Sequence, residues 1–409
     1  MIAALPIGAD MIARAGVRLA ERAGPDPSAA WDLRIDGQGL EHNPEGLHHA
    51  KHQLLMRAYQ ARYMLLPDGP PGGCIVERLQ RQYDPQEMAA LEALRHGLEA
   101  ELIAPRVAAA RHAARRHDLD AYVEALLPRL RGQPEDGFIS ALRLSPHREA
   151  HYRNFLIQSA ADLLAEASAS ALGVIGEFGP AQSALFRILI DEFGYGAHSK
   201  KHSVLYRATL ASFGLCDAYN AWWPLFDTAA LELHNTIHHL FQNPRNFFLQ
   251  VGFLLFAETA YQRSTADHFR YLREFHPDAD ARYFAEHAHI DLHHTQMVIE
   301  EVARPLTAAH GPAAGAEIVA GAELTRRAFE AAGAHLLAVS RAFDIAAVCG
   351  KAVYAAPDLD RLGAGVTPGA AFCADGRAVQ VGGIGVLTDP RAFALFPSGA
   401  YGRRLLAEA

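Results

Sequence analysis

Three residues at offsets of four and seven, His287-x-x-x-Asp291-x-x-His294, carry the strongest chemical signal in the chain. On a helix of about 3.6 residues per turn they share one stripe. Phe284, Ile290 and Met297 lie close to that stripe, so it is expected to face inward. Two buried imidazoles and a carboxylate must be paired or bound to a metal, because unpaired buried polar groups are costly. Imidazole with carboxylate is a donor set that suits iron. The competing reading is a solvated histidine-rich face, which Glu286, His287, His289, His293 and His294 together invite.

A second segment supplies further donors. Asp191-Glu192-Phe193-Gly194-Tyr195-Gly196 ends one helix, and His202-Ser-Val-Leu-Tyr206 opens the next. On one unbroken helix Glu192 and His202 would sit ~80° apart and about three turns distant. The glycines break the helix, so the chain can fold back and present both side chains to one point. Otherwise both are ordinary exposed helix-end residues. His198 competes with His202, but the apolar Val204-Leu205-Tyr206 run favours His202 as the inward residue. Glu166, in the apolar stretch Leu163-Leu-Ala-Glu-Ala, has no Lys or Arg at i±3 or i±4. A carboxylate in such a stripe needs a partner elsewhere in the fold; the alternative is simple exposure.

Glu258, in Leu255-Phe-Ala-Glu-Thr-Ala, is read as a structural hydrogen-bond acceptor before an alternative ligand. His234 and His238 can share a helix face, but no carboxylate joins them. A ferritin-like di-iron protein needs paired Glu-x-x-His motifs. Glu286-x-x-His289 supplies one, and the Glu166–His202 half supplies no second.

Taken together, Glu166, the Glu192-x-Gly194-x-Gly196…His202-x-x-Leu205-Tyr206 segment and His287-x3-Asp291-x2-His294 resemble the haem-oxygenase-like di-iron oxidase and oxygenase family. The resemblance covers residues 146–343. It implies a mostly α fold: a haem-oxygenase-like seven-helix bundle, here with an N-terminal helical extension and a small C-terminal β appendage. It also implies two Fe(II) ions held by Glu166, Glu192, His202, His287, Asp291 and His294, with dioxygen as co-substrate. Ser203 stands where many relatives carry proline. The expected activity is oxidation of a small nitrogen-containing metabolite, favoured as N-oxygenation of an amine. Oxidative cleavage, decarboxylation or desaturation is the alternative, and a haem-binding or non-catalytic helical protein is a third.

The elements that must position these residues follow from periodicity and punctuation. Residues 1–132 are expected to hold an Ala/Gly/Pro-rich arm, a short hairpin at Trp31–Leu40 and helices near His48–Leu66, Pro85–Leu102 and Pro105–Leu130. Residues 133–349 form the metal-binding bundle. Its helices are expected near Pro146–Leu172, Pro180–Phe193, Ser203–Gly214, Trp223–Gln242, Arg245–Ser264, Asp278–Leu306 and Ala313–Phe343. Gly179-Pro180, Gly194–Gly196 and Gly311-Pro312 are the stops. Residues 350–409 read as a small β-rich unit, with a hairpin from about Ala371 to Val386 around Asp375-Gly376.

The chain of 409 residues is half hydrophobic and carries a formal net charge of −8. With no Lys/Arg block, nucleic acid is not an expected partner. The apolar run from Phe247 to Ala257 is too short for a bilayer, which takes ~20 residues. No signal peptide is read in Met1–Arg18. Cys74, Cys216, Cys349 and Cys373 show no metal-site spacing and are expected to be reduced, mostly buried thiols of a cytoplasmic protein. The expected partners are a small-molecule substrate and a second copy of the chain, with an external electron donor left open.

Overall fold

Gly/Pro stops, aspartate caps and Ala/Leu-rich runs divide the chain into a mostly helical structure. The computed structural model describes residues 44–65, 74–215, 217, 219, 226–348, 353–356, 370–373 and 378–380. In chain order its α-helices are α1 (Pro44–Gln60), α2 (Ile75–Gln82), α3 (Pro85–Leu102), α4 (Ala104–Ala114), α5 (Leu119–Arg131), α6 (Gly137–Leu144) and α7 (Arg148–Leu163). There follow α8 (Ser168–Gly173), α9 (Pro180–Glu192), α10 (His202–Ser212), α11 (Thr228–Phe241) and α12 (Phe247–Phe275). The last are α13 (Arg282–Met297), α14 (Arg304–His310) and α15 (Pro312–Val348).

Local chemistry sets several of the ends. Asp118, Asp136 and Asp227 each accept hydrogen bonds from backbone N–H groups in the first turn of α5, α6 and α11. These side chains satisfy donors that a helix leaves orphaned at its start. Pro180 opens α9 at a position where a missing N–H costs nothing.

At the centre lies α12, packed against α11, α13 and α15. From Leu249 to Thr259 every residue is buried, so this stretch is enclosed on all sides. Its closest neighbour is α15. A Cβ on Gly252 would stand 1.9 Å from the Ile318 carbonyl oxygen, and one on Gly321 would stand 2.1 Å from that of Leu249. Only hydrogen fits at either crossing point. The early helices lie on this core. Asn235 of α11 donates to the His52 carbonyl of α1 at 2.8 Å, and α4 packs on α15.

Four helical expectations are corrected. The stretch Pro146–Leu172 is not one helix: it breaks after Leu163, and Ala167 takes a left-handed conformation (φ 64°) before α8 starts. Pro105–Leu130 divides at Asp118, whose cap starts α5. The helix placed at Arg245–Ser264 runs on to Phe275, a polar-faced extension that apolar counting did not follow. Asp278–Leu306 is α13, then a π-helical stretch Val298–Ala303, then α14. Cys74 is exposed, not buried.

Three short strands, β1 (Val353–Ala356), β2 (Ala370–Cys373) and β3 (Ala378–Gln380), pair antiparallel in that order. The Asp375-Gly376 turn, the Trp31–Leu40 hairpin and the N-terminal arm lie outside the described residues. Among the described residues, no helix is long and apolar enough to cross a membrane.

Candidate metal centre

Four segments bring the six acidic and histidine residues together. Glu192 is the last residue of α9 and His202 the first of α10. Between them Gly194, Tyr195 and Gly196 all have positive φ. Gly194 has no substitute: at φ 69° a Cβ would also lie 2.4 Å from the Lys201 backbone nitrogen. That close approach turns the chain back and sets His202 Nδ1 2.7 Å from Glu192 Oε2. His198 stays exposed on the short turn between them.

Glu166 sits in the four-residue turn after α7 and not on a helix. The strained Ala167 beside it fixes that turn. Its carboxylate accepts a hydrogen bond from the Tyr283 hydroxyl at 2.7 Å and lies 3.3 Å from His287 Nε2. On α13, His287, Asp291 and His294 are buried, whereas His289 and His293 are exposed. The histidine-rich helix is therefore divided by face, with the inner stripe turned to the cluster. The π-helical stretch begins four residues after His294, at Val298; such bulges are frequent at functional sites.

The donor atoms form two groups. Glu166, Glu192, His202 and His287 offer ligand atoms all within 4.8 Å of one another, and so do Glu192, Asp291 and His294. Glu192 belongs to both. Donors bound at about 2.0–2.2 Å to one ion lie roughly 3 to 4 Å apart; the separations of 3.3 and 3.6 Å fall in that range, and the 2.7 Å between His202 and Glu192 is shorter. Glu258 stands 3.2 Å from His294 Nδ1, on the second group's side.

Unmet bonding capacity points the same way. Among the described residues Glu166 Oε2 and Asp291 Oδ2 are buried without a hydrogen-bond partner, and His202 Nδ1 and His287 Nε2 have only the Glu192 and Glu166 carboxylates beside them. Buried polar atoms are ordinarily satisfied, and here the orphans converge on one volume. The far ring nitrogens of His287 and His294 are held. Asp291 Oδ1 accepts a hydrogen bond from His287 Nδ1–H at 3.3 Å, and Asp191 Oδ2 accepts one from His294 Nε2–H at 3.2 Å. This leaves His287 Nε2 and His294 Nδ1 facing the cluster. A carboxylate behind a ligating imidazole fixes its tautomer and raises its basicity.

The electrostatics are those of a cluster in which protons stand in for cations. Burial alone would lower all three imidazoles. Glu192 overrides it for His202, and Asp291 and Glu166 hold His287 well above the ordinary range. Glu258, Glu192 and Asp291 lift His294 to about 10. Burial would raise Glu192, yet His202, His287 and His294 pull it down to about 2. Asp291 is pushed up to about 7 by burial, an effect that His287 only partly offsets.

His234 and His238 do not join the cluster: His234 Nε2 faces the Gln158 carbonyl, and His238 Nδ1 faces the Tyr63 hydroxyl. Two partners escaped sequence reasoning. Tyr283 is signalled only by its place one turn before His287. Asp191, which stands beside Glu192 in the sequence, lies behind His294.

Residues 153–330 match the family described as iron-containing redox enzyme. Over 208 residues the chain is 41% identical to a nitrosourea synthase of Streptomyces achromogenes subsp. streptozoticus. That match takes in 50% of this chain and 44% of the relative, so it spans less than half of the relative's length. A CADD-like protein of unknown function from Nostoc punctiforme is also similar in structure. It has a TM-score of 0.41 and 17% identity, and the match covers 54% of this chain and 97% of that one.

Proposed function

Residues 153–330 belong with the iron-containing redox enzymes, and from that premise we propose that the cluster holds two ferrous ions and that the chain uses dioxygen to oxidise an amine nitrogen of a small metabolite. The observation that carries this reading is the pair of donor groups sharing Glu192. One ion takes Glu166, Glu192, His202 and His287. The other takes Glu192, Asp291 and His294, with Glu258 beside them.

Such a pair supplies the two electrons that, with two protons, carry dioxygen to one hydroxylated nitrogen and one water, and an external donor restores the ferrous state. The chain's own residues do the positioning. Asp291 and Asp191 hold the far nitrogens of His287 and His294. Tyr283 fixes one oxygen of Glu166, leaving the other free. Tyr261 and Tyr283 crowd the His287 ring, with ring centroids 6.3 and 4.6 Å away. Both tyrosines also line a cavity of about 490 Å³ next to the cluster, a volume suited to a small substrate.

The relative supports the choice of nitrogen: a nitrosourea contains a nitrogen–oxygen bond. The test is an ¹⁸O₂ incubation of the iron-loaded chain with candidate amines. Label on the product nitrogen is expected. A product short of carbon atoms and without a new N–O bond moves the chain to oxidative cleavage.

A further inference from the structure

Of the carboxylates on the cavity wall, Asp136 and Asp227 cap helices and Asp267 and Glu330 face arginines, which leaves Asp162. Asp162 lies in the last turn of α7, four residues before Glu166, and lines the cavity with Tyr261 and Tyr283. Among the described residues no cationic side chain pairs with it. The charges that act on it are the carboxylates of Glu166 and Glu192, which add to burial and push its carboxyl up to about 7. Beside it the Tyr261 phenol is held well above its ordinary value, by burial first and by Asp162 next.

The charge balance gives this residue a task. Two ferrous ions would bring four positive charges to a group that holds the carboxylates of Glu166, Glu192, Asp291, Glu258 and Asp191. The ions would offset the repulsion that Glu166 and Glu192 exert on Asp162, and burial is then what opposes a charge there. A buried charge of that kind is costly unless a partner arrives. A cation placed between a carboxylate and an aromatic face gains from both.

We infer that Asp162, beside the Tyr261 ring, receives the cationic nitrogen group of the substrate and fixes its position against the Glu166–Glu192 side of the cluster. Asp162 is thereby the residue that selects a guanidinium or ammonium compound over a neutral one of the same shape. The inference rests on the amine reading above, and it adds a recognition residue outside the donor set.

The test uses the ferrous-loaded full chain without oxygen, titrated calorimetrically with n-butylguanidinium and with the uncharged n-butylurea. The wild-type chain is expected to prefer the cation by roughly tenfold or more. Asp162→Asn is expected to lose that preference with its iron content unchanged, and the charge-keeping Asp162→Glu to retain it. Cation binding by Asp162→Asn as tight as wild type, with ¹⁸O still appearing on nitrogen, overturns the role of Asp162 alone. Loss of iron from Asp162→Asn also overturns it, by placing the residue among the ligands. A wild-type chain that favours the urea overturns both this inference and the amine reading.

Discussion

Glu192 ends a helix, reaches both donor groups and sits 2.7 Å from His202, so its removal should be felt at two positions at once. Glu192→Ala is expected to lower iron content below that of either Glu166→Ala or His294→Ala, each of which should leave about one iron per chain. Metal analysis after anaerobic loading checks this ranking, and equal iron in all three variants contradicts it. Behind the ligands, Asp191→Asn should weaken iron affinity by roughly 10–100-fold, the usual consequence of losing the group that orients a ligating imidazole. A ferrous titration against a competing chelator measures the change. The inward stripe of His287, Asp291 and His294 was legible in the sequence because it obeys helical spacing and is flanked by apolar residues, whereas Glu166 lies in a turn and not on the helix expected for it. Asp162 was not legible. Its place acquires meaning only when the structure shows that it lines the cavity with Tyr261 and Tyr283, the tyrosine that bonds Glu166.

At the scale of elements, three departures from regular helix shape the site. The Gly194–Gly196 turn was readable, since glycines that interrupt an apolar helix announce a break. The turn carrying Glu166 was not, because Ala167 is a helix-favouring residue held at φ 64° by its surroundings. Nor was the π-helical stretch after α13, which has no distinctive composition. Gly194→Ala should cost on the order of 1–3 kcal/mol in backbone strain. It should also move His202 away from Glu192, so thermal unfolding should come earlier and iron content should fall. A variant with unchanged melting and unchanged iron would mean that the turn tolerates a side chain. In the core, Gly321→Ala meets the Leu249 carbonyl and is expected to destabilise the chain by pushing α12 from α15.

For the molecule as a whole, the metal-free cluster holds its charge balance with protons. His202, His287 and His294 all bind protons more tightly than free imidazole does, His294 up to about 10. Iron must displace those protons, because an imidazole ligates in its neutral form. Lower pH therefore favours the protonated, metal-free cluster, and higher pH favours loading. Ferrous affinity should rise between about pH 6 and 8, with proton release visible in weakly buffered dye solution. Affinity independent of pH would show that the imidazoles carry no protons to displace. The burial of the α13 stripe was foreshadowed by its apolar neighbours. The length of α12 was not, because its second half presents a polar face.

The central claim is a carboxylate-bridged pair of irons, and Mössbauer spectroscopy of the ⁵⁷Fe-loaded chain tests it most directly. Loading without oxygen should give about two high-spin ferrous ions per chain. Exposure to oxygen should convert them to a diamagnetic, exchange-coupled diferric pair, and Glu192→Ala should abolish that coupling. A single, magnetically isolated iron per chain, or a haem Soret band in the purified protein, would contradict the account.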